Sequence, residues 1–332
     1  MQRSRLIAFC VFSMLLLSVA GSGVVFSQPS DEIRQAFLQD MQKSGDEIRQ
    51  FSESIQPLFA DMGKDIQPKV MAAIMERMKD TSSPPTQEEM AKLGNEIVMD
   101  GFIGMQKPLN EKATEFLSEE GRQKMHLRMF QAKTSLMERL ETSDNPDAIE
   151  MALRFDMMQL MGGQPDFLEL SPEQRELITK QQKETSLEAL TLTTQATLKM
   201  ITTNPGRLAE IQQQVEAFQK AKTDEERTEI AKKLQTVNID IYKDIAPKLK
   251  TILIKGHEDF LRVLTDAQKA KVKAVMADMP DYVKKLLAEV DKGGNALSGL
   301  DSWVPGMGVP GVNPNREAPR QRQSGERTFP GN

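Results

Sequence analysis

The sequence predicts an all-α protein, a multi-helix bundle followed by a disordered C-terminal tail. Three observations predict it. Apolar residues recur in steps of three or four, as at Ile48, Phe51, Ile55, Phe59, Met62, Ile66, Val70 and Ile74, the period that lines one face of a helix. Helix-start signatures recur along the chain, a Ser or Thr followed three residues later by Glu or Gln. No segment sustains the period-two alternation of a half-buried strand.

The first residues are of another kind. Arg3 and Arg5 precede an uncharged stretch from Leu6 to Ala20, and there are two candidate cleavage sites, Ser18-Val19-Ala20 at its end and Val25-Phe26-Ser27 beyond it. A basic start, an apolar run short for a bilayer span and small residues after it read as a secretory signal, residues 1–27. An uncleaved anchor reaching Phe26 is the competing reading. Cys10 lies within the apolar run without a lipid-attachment sequence around it. The expected location is therefore periplasmic or secreted, with no stable membrane span after signal cleavage.

Loss of residues 1–27 removes two of the 43 basic residues and none of the 48 acidic ones, leaving 41 against 48, a net charge of −7. The only cysteine leaves with them. No disulfide can then staple the chain, and no thiol can ligate a metal or attack a substrate. About 300 residues are enough to bury a core by helix packing alone. An acidic chain with no basic stripe excludes nucleic acid as a partner, since phosphate contacts need clustered Lys and Arg.

Taken in order, residues 28–162 form a first helical region and 163–292 a second, as one continuous bundle or two. In the first, Pro57 and Pro68 are expected to break or kink the initial helical pattern. "TSSPPTQEEM" ends it, and Thr86 with Glu89 forms a capping box for the next helix. Asn145-Pro146 places an N-cap before a proline at the first helical position. In the second, "EQRELITKQQKETSLEALTLTTQATLKMI" is one long candidate helix weakened at "TLTT". Asn204-Pro205-Gly206 is a further break, and Thr223 with Glu226 caps again. From Gly293 the chain turns rich in Gly, Pro, Asn and Arg without apolar period, a composition expected to stay disordered. Trp303, the only tryptophan, lies in this tail.

One motif occurs twice. "LSPEQRELI" starts at Leu170 and "LTDAQKAKV" at Leu264. With Ser171 or Thr265 at the N-cap, Gln174 or Gln268 falls at N3 and completes a capping box. Pro172 suits the first helical position and Asp266 the positive end of the helix dipole. Leu170 and Leu264 sit where a hydrophobic staple would need an apolar N4, yet N4 is Arg175 or Lys269. Each leucine must instead bury itself against another helix. "FLSEEGRQKM" is a decayed third copy, with Leu117-Ser118 followed by Gly121 in place of Gln. An ancestral duplication is one reading of the three copies, and the commonness of capping boxes in helical proteins is the other.

These stretches resemble the LTxxQ motifs of the Spy and CpxP family of periplasmic proteins, and LTxxQ-bearing exported proteins of planctomycetes. The likeness covers two segments of about nine residues and a degenerate third. Ser replaces Thr at 171, Gln is lost at 121, and the length and tail have no counterpart in that family. The resemblance implies a helical cradle that offers an apolar or amphipathic face to clients, and it transfers no catalytic residue. The expected function is non-enzymatic binding of polypeptide clients or envelope proteins, without a cofactor. A homodimer stays open.

Nineteen methionines follow the signal, fifteen of them between Met41 and Met161. Met71, Met75 and Met78 fall near one helix face, and Met157, Met158 and Met161 cluster again. Core filling, an adaptable client-binding surface and a soft-metal site all use thioethers. The candidate residues for Cu(I) or Ag(I) are Met125, His126 and Met129 in "KMHLRMF". The protein would then be an envelope metal-binding or metal-stress protein. A purely structural envelope component is a third reading. His257 opens "HEDFL", which places Leu261 where a zinc-protease helix needs its second histidine. With two histidines and no mature thiol, few groups can act as general base or nucleophile.

Overall fold

The computed structural model describes Ala36, Asp40 and residues 45–79, 85–220 and 223–291, and among these every regular element is helical. The expected signal peptide and C-terminal tail lie outside the described residues. In chain order the helices are α1 (Gly45–Arg77), α2 (Gln87–Gly104), α3 (Gln106–Phe116), α4 (Glu119–Leu140) and α5 (Pro146–Gly162). A 3₁₀ turn (Asp166–Leu168) leads to α6 (Pro172–Thr203), α7 (Pro205–Lys220), α8 (Asp224–Val263), α9 (Asp266–Ala277) and α10 (Asp281–Asp291).

The helix boundaries fall where local chemistry puts them. Thr86, Ser171, Thr223 and Thr265 each form a full capping box, and Ser118 caps α4 by its hydroxyl alone. One expectation needs revision. α1 runs unbroken through Pro57 and Pro68. Both prolines are on the exposed side, where the carbonyls left without a donor can reach water, while Phe51, Ile55, Ile66, Val70 and Ile74 keep one buried face across them. The expected single long helix is found in α6, which continues through "TLTT". Buried Thr193 donates its hydroxyl to Ala189 O, and half-buried Thr197, just past the stretch, donates to Thr193 O, so both hydroxyls are satisfied within the helix.

One apolar core extends from Phe51 on α1 to Leu287 on α10 and includes Met99 and Phe102 on α2, Leu136 and Leu140 on α4, Phe155 and Leu160 on α5, and Leu249 on α8. Met157, Met158 and Met161 belong to this core. Met71 and Met78 pack on its edge, while Met75 is 46% exposed. α6 and α8 run antiparallel, with Thr185 against Gly256 in the middle and Gln174 against Val263 at the end. A Cβ on Gly256 would stand 2.6 Å from Thr185 Cγ2, so glycine is what allows these two backbones to come together.

Asp40 ties three remote parts of the chain. Its carboxylate accepts from Arg128 Nε on α4 at 2.8 Å and from the Tyr282 hydroxyl on α10 at 2.7 Å. Burial by itself would raise the Asp40 pKa, but the hydrogen bonds from Arg128 and Tyr282 outweigh it and hold the carboxyl below its usual range. The same burial, followed by the Asp40 partnership, pushes the Tyr282 phenol well above its ordinary value.

Candidate functional site: a paired motif and two open grooves

The two full motif copies meet each other. Gln174 Nε2 donates to Gln268 Oε1 at 2.9 Å, and Gln268 Nε2 donates to Gln174 Oε1 at 3.1 Å. Each Oε1 also accepts its own N-cap amide, Ser171 N at 3.0 Å or Thr265 N at 2.9 Å. Each Nε2 makes a second donation to the backbone just before the other copy, Gln174 to Val263 O at 2.9 Å and Gln268 to Leu168 O at 3.1 Å. Each side-chain nitrogen thus donates twice, Gln174 Oε1 accepts twice, and Gln268 Oε1 accepts a third time, from the Thr265 hydroxyl at 3.2 Å. A carboxylate at N3 could complete a capping box, but it has no donor for the other strand of this exchange. That is a physical reason for Gln at both positions.

Leu170 and Leu264 are 6% and 3% exposed and lie in one small apolar cluster with Phe130, Leu168, Ile178 and Val272. Ile178 follows Leu170, and Val272 follows Leu264, by the same number of residues, so the two motifs contribute matching pairs. Aromatic edges close the cluster, Phe130 standing 5.2 Å from Phe167 and 6.1 Å from Phe260 between ring centroids. The chain reaches this junction through Glu169, whose φ of 50° is left-handed and whose carboxylate pairs with Lys271 at 2.7 Å. The expected burial of both leucines against another helix therefore takes the form of mutual burial.

The decayed copy is placed elsewhere. Leu117 is buried in the main core, apart from the other two motif leucines. Where Gly121 supplies no side chain, Glu47 of α1 accepts from Ser118 N at 3.0 Å and from Ser118 Oγ at 2.9 Å. A residue from another helix does the work of the missing Gln. Nothing in the sequence near 118 points to Glu47, because the contact depends on how α1 lies across the start of α4.

Beside the motif junction lies a buried polar chain that sequence reasoning missed. Lys133 Nζ donates to Asp156 Oδ1 at 2.5 Å and to Gln159 Oε1 at 2.6 Å, and Ser186 Oγ donates to Asp156 Oδ2 at 2.7 Å. Gln182 donates to Asp156 O at 2.7 Å and accepts from Gln164 at 2.9 Å. These groups belong to helices α4, α5 and α6 and the loop after α5, and their spacing in sequence follows no motif. His257 stacks on Phe260, with centroids 6.2 Å apart. Desolvation, reinforced by the Lys133 charge and opposed by Asp156, lowers its pKa to about 4.

Met125, His126 and Met129 lie half-buried on α4, Met125 and Met129 against the main core. His126 and Met129 line a cavity of about 20 Å³ together with Lys133. Desolvation lowers the His126 pKa, and a metal cation there would meet the Lys133 ammonium. Among the described residues no three His, Cys, Asp or Glu side chains gather as a metal site. No described helix is long and apolar enough to cross a membrane.

Two larger hollows are open. One, of about 790 Å³, lies between α2, α6 and α8 over Leu187, Leu192 and Ile252. The other, of about 670 Å³, lies between α1 and α2 over Leu58, Met62, Ile66, Ile97 and Met105. Gly101 permits the close approach there, since a Cβ would meet Ile66 Cδ1 at 2.2 Å. Neither groove contains a histidine. Comparison of the chain with protein-family models, curated proteins and solved structures finds no match.

Proposed function

We propose that this is an exported, non-enzymatic helical protein that binds other polypeptides in the cell envelope, in a chaperone-like or scaffold-like way. The observation that carries the reading is the pair of open grooves floored by leucine, isoleucine and methionine side chains. Apolar surface of this kind is suited to holding side chains of another chain, and its thioethers and aliphatic groups adapt to varied shapes. The signal-like start and the likeness to LTxxQ proteins support the same reading. The motif leucines themselves are sealed, so the motifs fix the frame and the binding surface is elsewhere.

The test is suppression of aggregation of a chemically unfolded client by the purified protein without ATP. Suppression at near-stoichiometric ratio is expected. Unchanged light scattering at a large excess of protein sinks the reading. A purely structural envelope component is the second reading, favoured by the closed burial of Leu117, Leu170 and Leu264. It predicts a fixed assembly partner on crosslinking in cells and no effect on client aggregation.

A further inference from the structure

We propose that the groove between α2, α6 and α8 receives a short amphipathic helix of another polypeptide, apolar side inward and lysine or arginine side chains toward Glu184 and Glu188. The inference deepens the polypeptide-binding reading and rests on it.

The two grooves differ in their charges. In the α1–α2 groove the three carboxylates are already taken, Asp61 by Lys64 at 2.9 Å, Asp65 by Lys69 at 2.6 Å and Asp100 by Lys183 at 2.6 Å. In the α2–α6–α8 groove, Glu88, Glu184 and Glu188 make no hydrogen bond or ion pair among the described residues. Lys92 and Lys248 stand on the same rim and are likewise unengaged, so the rim carries three free carboxylates against two free ammoniums. Glu184 and Glu188 are one turn apart on α6. Like charges at that spacing oppose each other on a helix, and no described side chain forms a hydrogen bond or ion pair with either.

Leu187 lies between those two glutamates in sequence, half-buried, with Leu192 and Ile252 beside it. An apolar floor flanked by unpaired acids fits a helix whose leucine or isoleucine face enters the hollow while two basic side chains, also one turn apart, reach the acidic rim. The acidic excess selects a basic helix over an acidic one. Such contacts at a wet rim weaken as salt rises.

The test is fluorescence anisotropy of the full chain with two labelled synthetic helices of identical apolar face, one carrying two lysines a turn apart and the other two glutamates. The basic helix is expected to bind more tightly. The double variant E184K/E188K, both positions being at the surface, should weaken it about tenfold and favour the acidic helix, with circular dichroism and melting unchanged. D61K/D65K in the other groove should leave the affinity as it was. Equal affinity for the two helices, or indifference to E184K/E188K, overturns the assignment. A concentration-dependent dimer by sedimentation that E184K/E188K abolishes would make the occupant a second copy and also overturn it. Client aggregation is followed in parallel. Suppression that survives E184K/E188K removes the groove and leaves the polypeptide-binding reading standing; peptide binding without suppression does the reverse.

Discussion

Gln174 and Gln268, 94 residues apart, hold each other by a reciprocal pair of amide hydrogen bonds, and each simultaneously caps its own helix. The start of α6 and the start of α9 are thereby one junction. Gln174→Glu keeps the cap acceptor but removes both donors and sets a carboxylate against Val263 O and Gln268 Oε1. The variant is expected to lose about 2–3 kcal/mol of stability at neutral pH, read as a lower urea midpoint. An unchanged midpoint would mean that the exchange contributes nothing to the fold.

Glu47 is the acceptor that the decayed copy lacks. Glu47→Ala leaves Ser118 N and Oγ to water, and about 1 kcal/mol should be lost. Glu47→Gln, which retains an acceptor oxygen, should lose less. Thermal unfolding resolves the two, since about 1 kcal/mol moves the midpoint by roughly 2–4 °C in a chain near this size.

Asp40 predicts acid lability at the joint of α4 and α10. Its pKa is depressed in the folded protein, so its contribution is full above the unfolded carboxylate range and is lost as pH falls through the lower folded value. Asp40→Asn should remove that contribution at neutral pH. The difference from the wild type should shrink steadily toward low pH, measured by denaturant titrations at a series of pH values.

His257 acts at milder acidity. Its folded pKa of about 4 lies below the ordinary 6.5, so the unfolded chain takes up the proton first. Stability from this group is full above about pH 6.5 and declines as pH falls to about 4. The total decline is roughly 3 kcal/mol. His257→Gln should flatten the pH dependence in that window, and an unaltered slope would show that the ring stays hydrated.

Gly256 and Gly63 should respond oppositely to alanine. At Gly256 a methyl meets Thr185 at 2.6 Å, and the β-branched Thr has one stiff torsion with which to move, so separation of α6 and α8 should cost about 1–3 kcal/mol. At Gly63 within α1 nothing lies within 4 Å. There alanine should stabilise by about 1 kcal/mol through helix propensity. Melting temperatures of the two variants should fall on either side of the wild type.

Much of this architecture was legible because its determinants are local. Helical periodicity, the Thr86, Ser171, Thr223 and Thr265 capping boxes, the proline start at Pro146 and the break at Asn204-Pro205 depend on residues within one turn of each other. The burial of Leu170 and Leu264 was legible for a related reason, since Arg175 and Lys269 denied them a neighbour of their own. The prolines of α1 misled because a proline's cost depends on which face it occupies, and only packing sets the exposed face.

By itself the sequence determined the helical class, the capped starts of α2, α4, α6, α8 and α9 and the need of each motif leucine for a distant partner, because hydrogen bonds at helix ends and the periodic burial of side chains are short-range matters. Only the tertiary structure decided that the partner of one motif is the other, that Glu47 stands in for a lost glutamine, and that the open surface lies over Leu187 and Ile252 away from the motif. Those outcomes depend on which helix faces meet, and that is fixed by packing the whole chain at once.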